Sequence, residues 1–286
     1  MLEKRAYSYG FLIPAALVYG VFFLVPAVVS FFFAFTRWDL TNWNFIGFDN
    51  FRMFFSERAL NIGFRNTLLY AAFTCGFKVV LGLLLGVFLC MPLKTRGFLR
   101  SIIFFPVIIS TVAVGVAFGS LMHPSRGLIN AALSVIGITG IDWLGDVRLA
   151  LFSVILVDVW KGVGMATVIY IAGIMAIPTH YYEALAIDGG GRWAKFKHIT
   201  LPLCRPAINS VVILSFIGGL RSFDLVWTMT KGGPGFTSDV IASIIYKQYA
   251  AGFYGLSTAG NVILFLGVSL LAFPLYYLLN RKEVDM

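Results

Sequence analysis

The stretch TLLYAAFTCGFKVVLGLLLGVFLCM, Thr67–Met91, decides the fold, and Lys78 is the only charge within it. A bilayer's hydrocarbon core is about 30 Å thick, so a helix crosses it in roughly 20 largely apolar residues. This run is long enough, and it lacks the period-two alternation of a barrel strand. Five more runs read the same way: Phe11–Phe35, Leu99–Met122, Leu149–Ile177, Ala207–Met229 and Ser257–Leu279. Only helices and closed barrels satisfy their own backbone polar groups in lipid. The expectation is therefore an all-α integral membrane protein, one transmembrane domain over residues 1–286 with six spanning helices. Composition agrees. The chain is 59% hydrophobic and 12% charged, where a soluble domain carries roughly a quarter charged residues, and its mean hydropathy is +0.87.

The first run follows Lys4 and Arg5, as a secretory signal would. It is too long for one, and Arg37-Trp38-Asp39 follows it instead of a small-residue cleavage site, so it reads as a permanent span. Pro14 and Pro26 predict an irregular helix there. The formal charge of +9 does not indicate nucleic acid, because the basic residues flank spans instead of forming one patch. Lys4, Arg5, Lys94, Arg96, Arg100, Arg192, Lys195, Lys197, Arg205, Arg281 and Lys282 fall on one side of a six-span topology. The positive-inside rule makes that side cytoplasmic, with both termini inside the cytoplasmic membrane. On the other side Arg37, Arg52, Arg58, Arg65, Arg126, Arg148, Lys231 and Lys247 are diluted by acids over longer loops.

Those outer connections are Thr36–Asn66, His123–Arg148 and Thr230–Leu256. The first is aromatic, with Trp38, Trp43, Phe45, Phe48, Phe51, Phe54 and Phe55, which suits interfacial anchoring or a docking surface for an outer partner. Cys75 and Cys90 lie in the second run and Cys204 on the inner side, so no outer disulfide framework exists. Inside, one connection exceeds a turn, from Pro178 to Pro206.

That connection reads PTHYYEALAIDGGGRWAKFKHITLP over Pro178–Pro202. Pro178 stops the fourth span, Thr179 is placed to cap a short helix, and Glu183 sits early in it, where negative charge suits the dipole. Gly189-Gly190-Gly191 ends it with a left-handed turn. Arg192–Ile199 then forms a basic amphipathic helix with Trp193, Phe196 and Ile199 on one face. The segment resembles the signature loop of ABC-importer permease subunits: Glu183 and Ala184, Gly189 at the required gap, Ile199 nine residues later, then Leu201-Pro202. Leu185 departs, standing where that family has a second alanine. Ile46-Gly47-Phe48-Asp49-Asn50-Phe51, Asn66-Thr67, Phe104-Phe105-Pro106, Trp160-Lys161 and Lys231-Gly232-Gly233-Pro234-Gly235 also resemble carbohydrate-uptake permeases of the maltose and glycerol-3-phosphate type.

The resemblance implies that Glu183, Ala184, Asp188 and Gly189 couple the chain to an ATPase. The loop helix would sit in a cleft on that subunit. It further implies two ATPase subunits that bind ATP and Mg, a second six-helix permease subunit (homologous or identical), and an external solute-binding protein. Gly232, Gly233 and Pro234 would lie near that binding protein, although a tight turn after the fifth span explains them as well.

The chain itself has no phosphate-cradling G-x-x-x-x-G-K-[ST] loop, G-x-S-x-G or H-E-x-x-H. His123, His180 and His198 are too dispersed for a metal site. No catalytic residue, metal or cofactor is expected in it, and energy must come from another subunit. Charges at membrane depth are costly and mark cavities or pathways. Lys78, Asp158, Lys161, Arg221 and Asp224 qualify, with Trp160, Tyr170, Phe223 and Trp227 near them, a mixture that suits a sugar. Asp158–Lys161 and Arg221–Asp224 are three apart, so each pair can share a helix face, either lining a pathway or simply holding the bundle together. The rival reading is a secondary transporter in which these charges relay protons or ions.

Overall fold

The computed structural model describes residues 9–138 and 140–281; Lys4, Arg5 and Lys282 lie outside the described residues. The chain divides into two compact units, one running up to Glu57 and including Ile245–Phe265, the other comprising Arg58–Ile244 and Leu266 onward.

The first unit opens with helix α1, Gly10–Phe33. The helix is irregular but unbroken, because a wide π-turn at Gly20–Leu24 precedes Pro26 and gives the proline ring room against the preceding turn. None of the described α1 side chains is buried in this chain, and Phe11 and Phe22 are 78% and 77% exposed. So large an apolar face requires lipid or another protein as its surroundings. A short antiparallel hairpin follows, β1 (Thr36–Trp38) with β2 (Trp43–Phe45), in the register Thr36↔Phe45, Arg37↔Asn44 and Trp38↔Trp43. It is a small departure from an all-helical chain. Helix α2, Asp49–Ser56, closes the segment. Buried Asn50 ties α2 to the hairpin, its amide donating to the Ala34 and Thr36 carbonyls at 2.9 and 2.8 Å.

The second unit is built on α3 (Arg58–Cys90) and α7 (Ala150–Met175). Between them lie α4 (Arg96–Ile108), α5 (Thr111–Leu121) and α6 (Leu128–Ser134). Beyond α7 come α8 (Thr179–Ile187), α9 (Arg192–Leu203), α10 (Arg205–Leu220) and α11 (Asp224–Met229). Helices α12 (Ile241–Ala250) and α13 (Tyr254–Asn280) follow, each contributing residues to both units.

Helices do not attract one another hydrophobically in lipid, so close approach through small residues must hold them. A Cβ on Gly82 of α3 would lie 2.8 Å from the Ala166 Cβ of α7, and one on Gly86 would lie 2.8 Å from the Tyr170 Cβ. One on Gly219 of α10 would come within 2.6 Å of the Ala71 Cα on α3. Among the described residues of this unit, two buried clusters lie at these contacts. One gathers Tyr70, Val114, Val154, Val157 and Val226; the other gathers Tyr170, Ile199, Cys204, Ala207 and Val211.

Among the described residues, four helices are long and apolar enough to cross a membrane, and up to six spans result if each of two bent pairs is one span. The expected span Leu99–Met122 is such a pair, α4 and α5 meeting at 97°. Pro106 removes an amide from the last turn of α4, and Ile109 and Ser110 are extended, so α5 restarts in a new direction. The other pair is α9 and α10, bent by 65°. The expected span Ala207–Met229 is also interrupted, α10 stopping at Leu220 and the six-residue α11 beginning at Asp224.

Candidate functional site

Helix α8 carries the residues singled out in the inner connection. Its N-cap position is Pro178, so Thr179 is its first helical residue and makes no capping bond, contrary to the sequence-based expectation. Its other end is closed as expected. The Gly190 amide donates to the Leu185 carbonyl at 2.8 Å and the Gly189 amide to the Ala186 carbonyl at 3.2 Å, with Gly189 at φ +78°. This is the paired-bond arrangement that ends helices in a left-handed residue. Leu185 lies over Gly190, where a Cβ would come within 2.5 Å of its Cγ, so the larger residue at this position is matched by a missing side chain.

The helix has two faces. Tyr182 and Leu185 pack on the cluster around Tyr170 and Ile199, and the Tyr182 hydroxyl shares a 3.1 Å hydrogen bond with Thr200 of α9. Glu183, Ala184, Asp188 and Gly189 are all exposed, as are Ile187 and Trp193, at 87% and 72%. Trp193 and Phe196 meet in a tilted pair with ring centroids 5.5 Å apart, while Ile199 is buried. The anchoring residues Tyr182 and Thr200 escaped the sequence reading, since neither differs visibly from its polar and aromatic neighbours.

A second feature joins two sequence motifs. The buried Asn66 amide donates to the carbonyls of Thr237 and Asp239 at 2.8 and 2.9 Å, and the Thr67 hydroxyl accepts from the Ile241 amide at 2.9 Å. The loop thus pinned contains Gly232, Gly233 and Pro234. Gly232 has φ +83° and leaves no room for a Cβ beside the Asp239 carboxylate. Ser238 binds the Gly233 carbonyl and the Thr230 hydroxyl.

At membrane depth, the ion pair is not the one drawn by helical spacing. Asp158 of α7 bonds Lys78 of α3 at 2.7 Å, while Lys161 reaches the Val107 carbonyl at 3.4 Å. Gly162 makes room for the lysine stem, since a Cβ there would lie 2.6 Å from Lys78 Cε. Arg221 and Asp224 are both exposed in this chain and form no ion pair with each other. Trp160 is 41% exposed and lies tilted against Phe118 with ring centroids 5.0 Å apart, Phe223 stacks on Trp227 at 5.8 Å, and Tyr170 is fully buried between helices.

Long apolar helices locked by small residues, an ion pair held at membrane depth and a short helix displayed on one connection define a multi-span membrane protein of the transport class. Residues 78–284 match the family described as binding-protein-dependent transport system inner membrane component, and the chain belongs to it. The trehalose/maltose transport system permease protein of Thermococcus litoralis is 33% identical over 282 residues, 97% of this chain and 95% of that protein. A bacterial ABC transporter involved in import of the acidic polysaccharide alginate shares the fold, with TM-score 0.87 and 24% identity over 96% of each chain. The bacterial alginate ABC transporter in complex with an alginate-pentasaccharide-bound periplasmic protein matches with TM-score 0.79 and 25% identity, over 96% of this chain and 92% of that one.

Proposed function

We propose that this chain is the permease subunit of an ATP-driven importer that carries a sugar across the cytoplasmic membrane by alternating access. The observation that carries this reading is α8. It is a short helix anchored on one face by Tyr182 and Leu185, exposed on the other, and closed by Gly189. A rigid element held this way transmits a push from a docked motor instead of absorbing it. Glu183, Ala184, Asp188 and Gly189 form the contact with the ATPase subunit, which binds ATP and Mg. This chain supplies the pathway and no catalytic residue.

On this reading the chain crosses the membrane six times, each bent pair serving as one span, with both termini cytoplasmic. A homologous or identical permease completes the pore, two ATPase subunits dock on the inner face, and an external binding protein delivers solute to the side bearing Gly232, Gly233 and Pro234. The sugar class is supported by the trehalose/maltose relative. It is also supported by the aromatic and polar residues Trp160, Lys161, Arg221, Phe223, Asp224 and Trp227, which offer stacking faces and hydrogen bonds. Lys78, Asp158 and Tyr170 hold the helices behind that pathway.

Uptake of labelled neutral sugars tests this in cells expressing the transporter with and without its ATPase subunit. Accumulation that disappears without the ATPase is the expected result. Accumulation that continues without it would instead favour an ion-driven carrier.

A further inference from the structure

A cleft of about 500 Å³ opens within the first unit. Its size falls in the range of small-molecule sites. The β1–β2 hairpin forms one wall, with Arg37 and Asn44 facing as register partners and Trp38 beside them. Glu57 and Gln248 form another, joined by a 3.3 Å bond from the glutamine amide to one carboxylate oxygen.

The lining is arranged before any ligand arrives. Asp39 Oδ1 accepts from the Thr41 amide, the Thr41 hydroxyl and the Asn42 amide at 3.1, 2.8 and 2.7 Å. Its Oδ2 takes none of these bonds. Asn50 donates its amide hydrogens to the Ala34 and Thr36 carbonyls, which fixes it at the edge of the cleft. Planar carboxylates and amides on fixed backbone suit vicinal hydroxyls, which donate and accept at once, and Trp38 and Phe253 add apolar surface for C–H faces. One guanidinium against two carboxylates, Arg37 against Asp39 and Glu57, disfavours an anionic ligand. Fixing these groups in advance lowers the cost of binding.

We infer that this cleft is a binding site for a neutral mono- or disaccharide, on the outer face, where solute waits before it enters the pathway. The inference rests on the importer reading and on the orientation given with it.

The test is sugar protection of a single label. Asn44→Cys, and separately Asn42→Cys, are placed in the transporter in right-side-out membrane vesicles and reacted with a membrane-impermeant maleimide. The wild-type chain gives the background. Glucose, maltose, trehalose and sucrose are the probes, with potassium chloride at equal osmolarity as control, and no binding protein is present. Both variants should label from outside, and at least one sugar should slow labelling about tenfold when it is at about ten times its Kd.

Four results would overturn the inference, each in its own way. Labelling that no sugar slows, while the wild-type transporter supplied with its binding protein accumulates one of them, removes the saccharide site and leaves the importer intact. Protection that appears only on adding the binding protein, with or without sugar, makes the cleft a protein-docking face. Labelling only in inside-out vesicles overturns the orientation. No accumulation of any labelled sugar by the wild type, even with its ATPase subunit, ATP and the binding protein supplied, overturns the importer reading and this site with it.

Discussion

Lys78 of α3 and Asp158 of α7 form a 2.7 Å ion pair whose side chains are only 12% and 21% exposed. Two helices that pack through glycines are thereby pinned by one polar contact. A buried pair is weak evidence for net stability, but breaking one by removing a single partner costs roughly 3–5 kcal/mol. Partial exposure puts this pair at or below the lower end of that range. Lys78→Met and Asp158→Asn should each lower the thermal midpoint of the detergent-solubilised protein. The charge-reversed double variant, Lys78→Asp with Asp158→Lys, should recover part of the loss. Equal midpoints for the single variants and wild type would remove the pinning role.

The pair also shows what the sequence conceals. Spacing on α7 places Asp158 next to Lys161, and a helix read alone makes them partners. The aspartate's partner comes instead from a helix 80 positions earlier in the chain, and only the α3–α7 packing decides that. The apolar runs were legible because lipid demands length and continuity, which are properties of the string itself. The 97° bend after Ile108 was not. Pro106 is visible there, but prolines also occur in unbroken membrane helices, as α1 demonstrates with Pro26. The glycine closure of α8 was legible because a left-handed residue requires glycine or a close substitute. Its anchoring through Tyr182 and Thr200 depends on a fold-level contact that no local pattern announces.

Asn66 gives a sharper prediction. Its amide satisfies two carbonyls, and a buried acceptor left unpaired costs about 1–3 kcal/mol. Asn66→Leu should destabilise the chain by about that amount or up to twice it. Asn66→Asp should be no better despite its identical shape, since an ionised carboxylate has no hydrogen to donate. Proteolysis of the loop containing Gly232–Pro234 should quicken in both. An Asn66→Asp variant as stable and protease-resistant as wild type would show that the amide hydrogens are not needed.

Helix approach can be tested by adding volume. Gly82→Val and Gly86→Val place methyl groups where 2.8 Å separates a Cβ from α7 side-chain atoms. Overpacking of this kind costs about 1–3 kcal/mol, and the reduced thermal midpoint should be accompanied by slower uptake. Gly76→Val on the same helix meets nothing within 4 Å and should behave as wild type. A Gly76 variant as damaged as the other two would show that close approach to α7 is not the source of the loss.

Leu185 and Gly190 form a matched pair, so their substitutions should not add. Gly190→Ala meets the Leu185 side chain and backbone, and Leu185→Ala should relieve part of the clash. The coupling energy from thermal midpoints of the two singles and the double measures this, with about 0.5–3 kcal/mol expected for residues in contact. Strict additivity would mean that the backbone contact at the Leu185 carbonyl alone sets the cost.

On the proposed function, α8 is where an ATPase subunit takes hold. The most direct measurement is co-purification of the ATPase subunit, with sugar uptake in parallel, for Glu183→Lys and Gly189→Asp. The first reverses charge on an exposed face, and the second puts a side chain at φ +78°, a conformation that disfavours one. Each variant should reach the membrane in normal amounts, with both ATPase association and uptake lost. Wild-type association and uptake in both variants would contradict the proposed function.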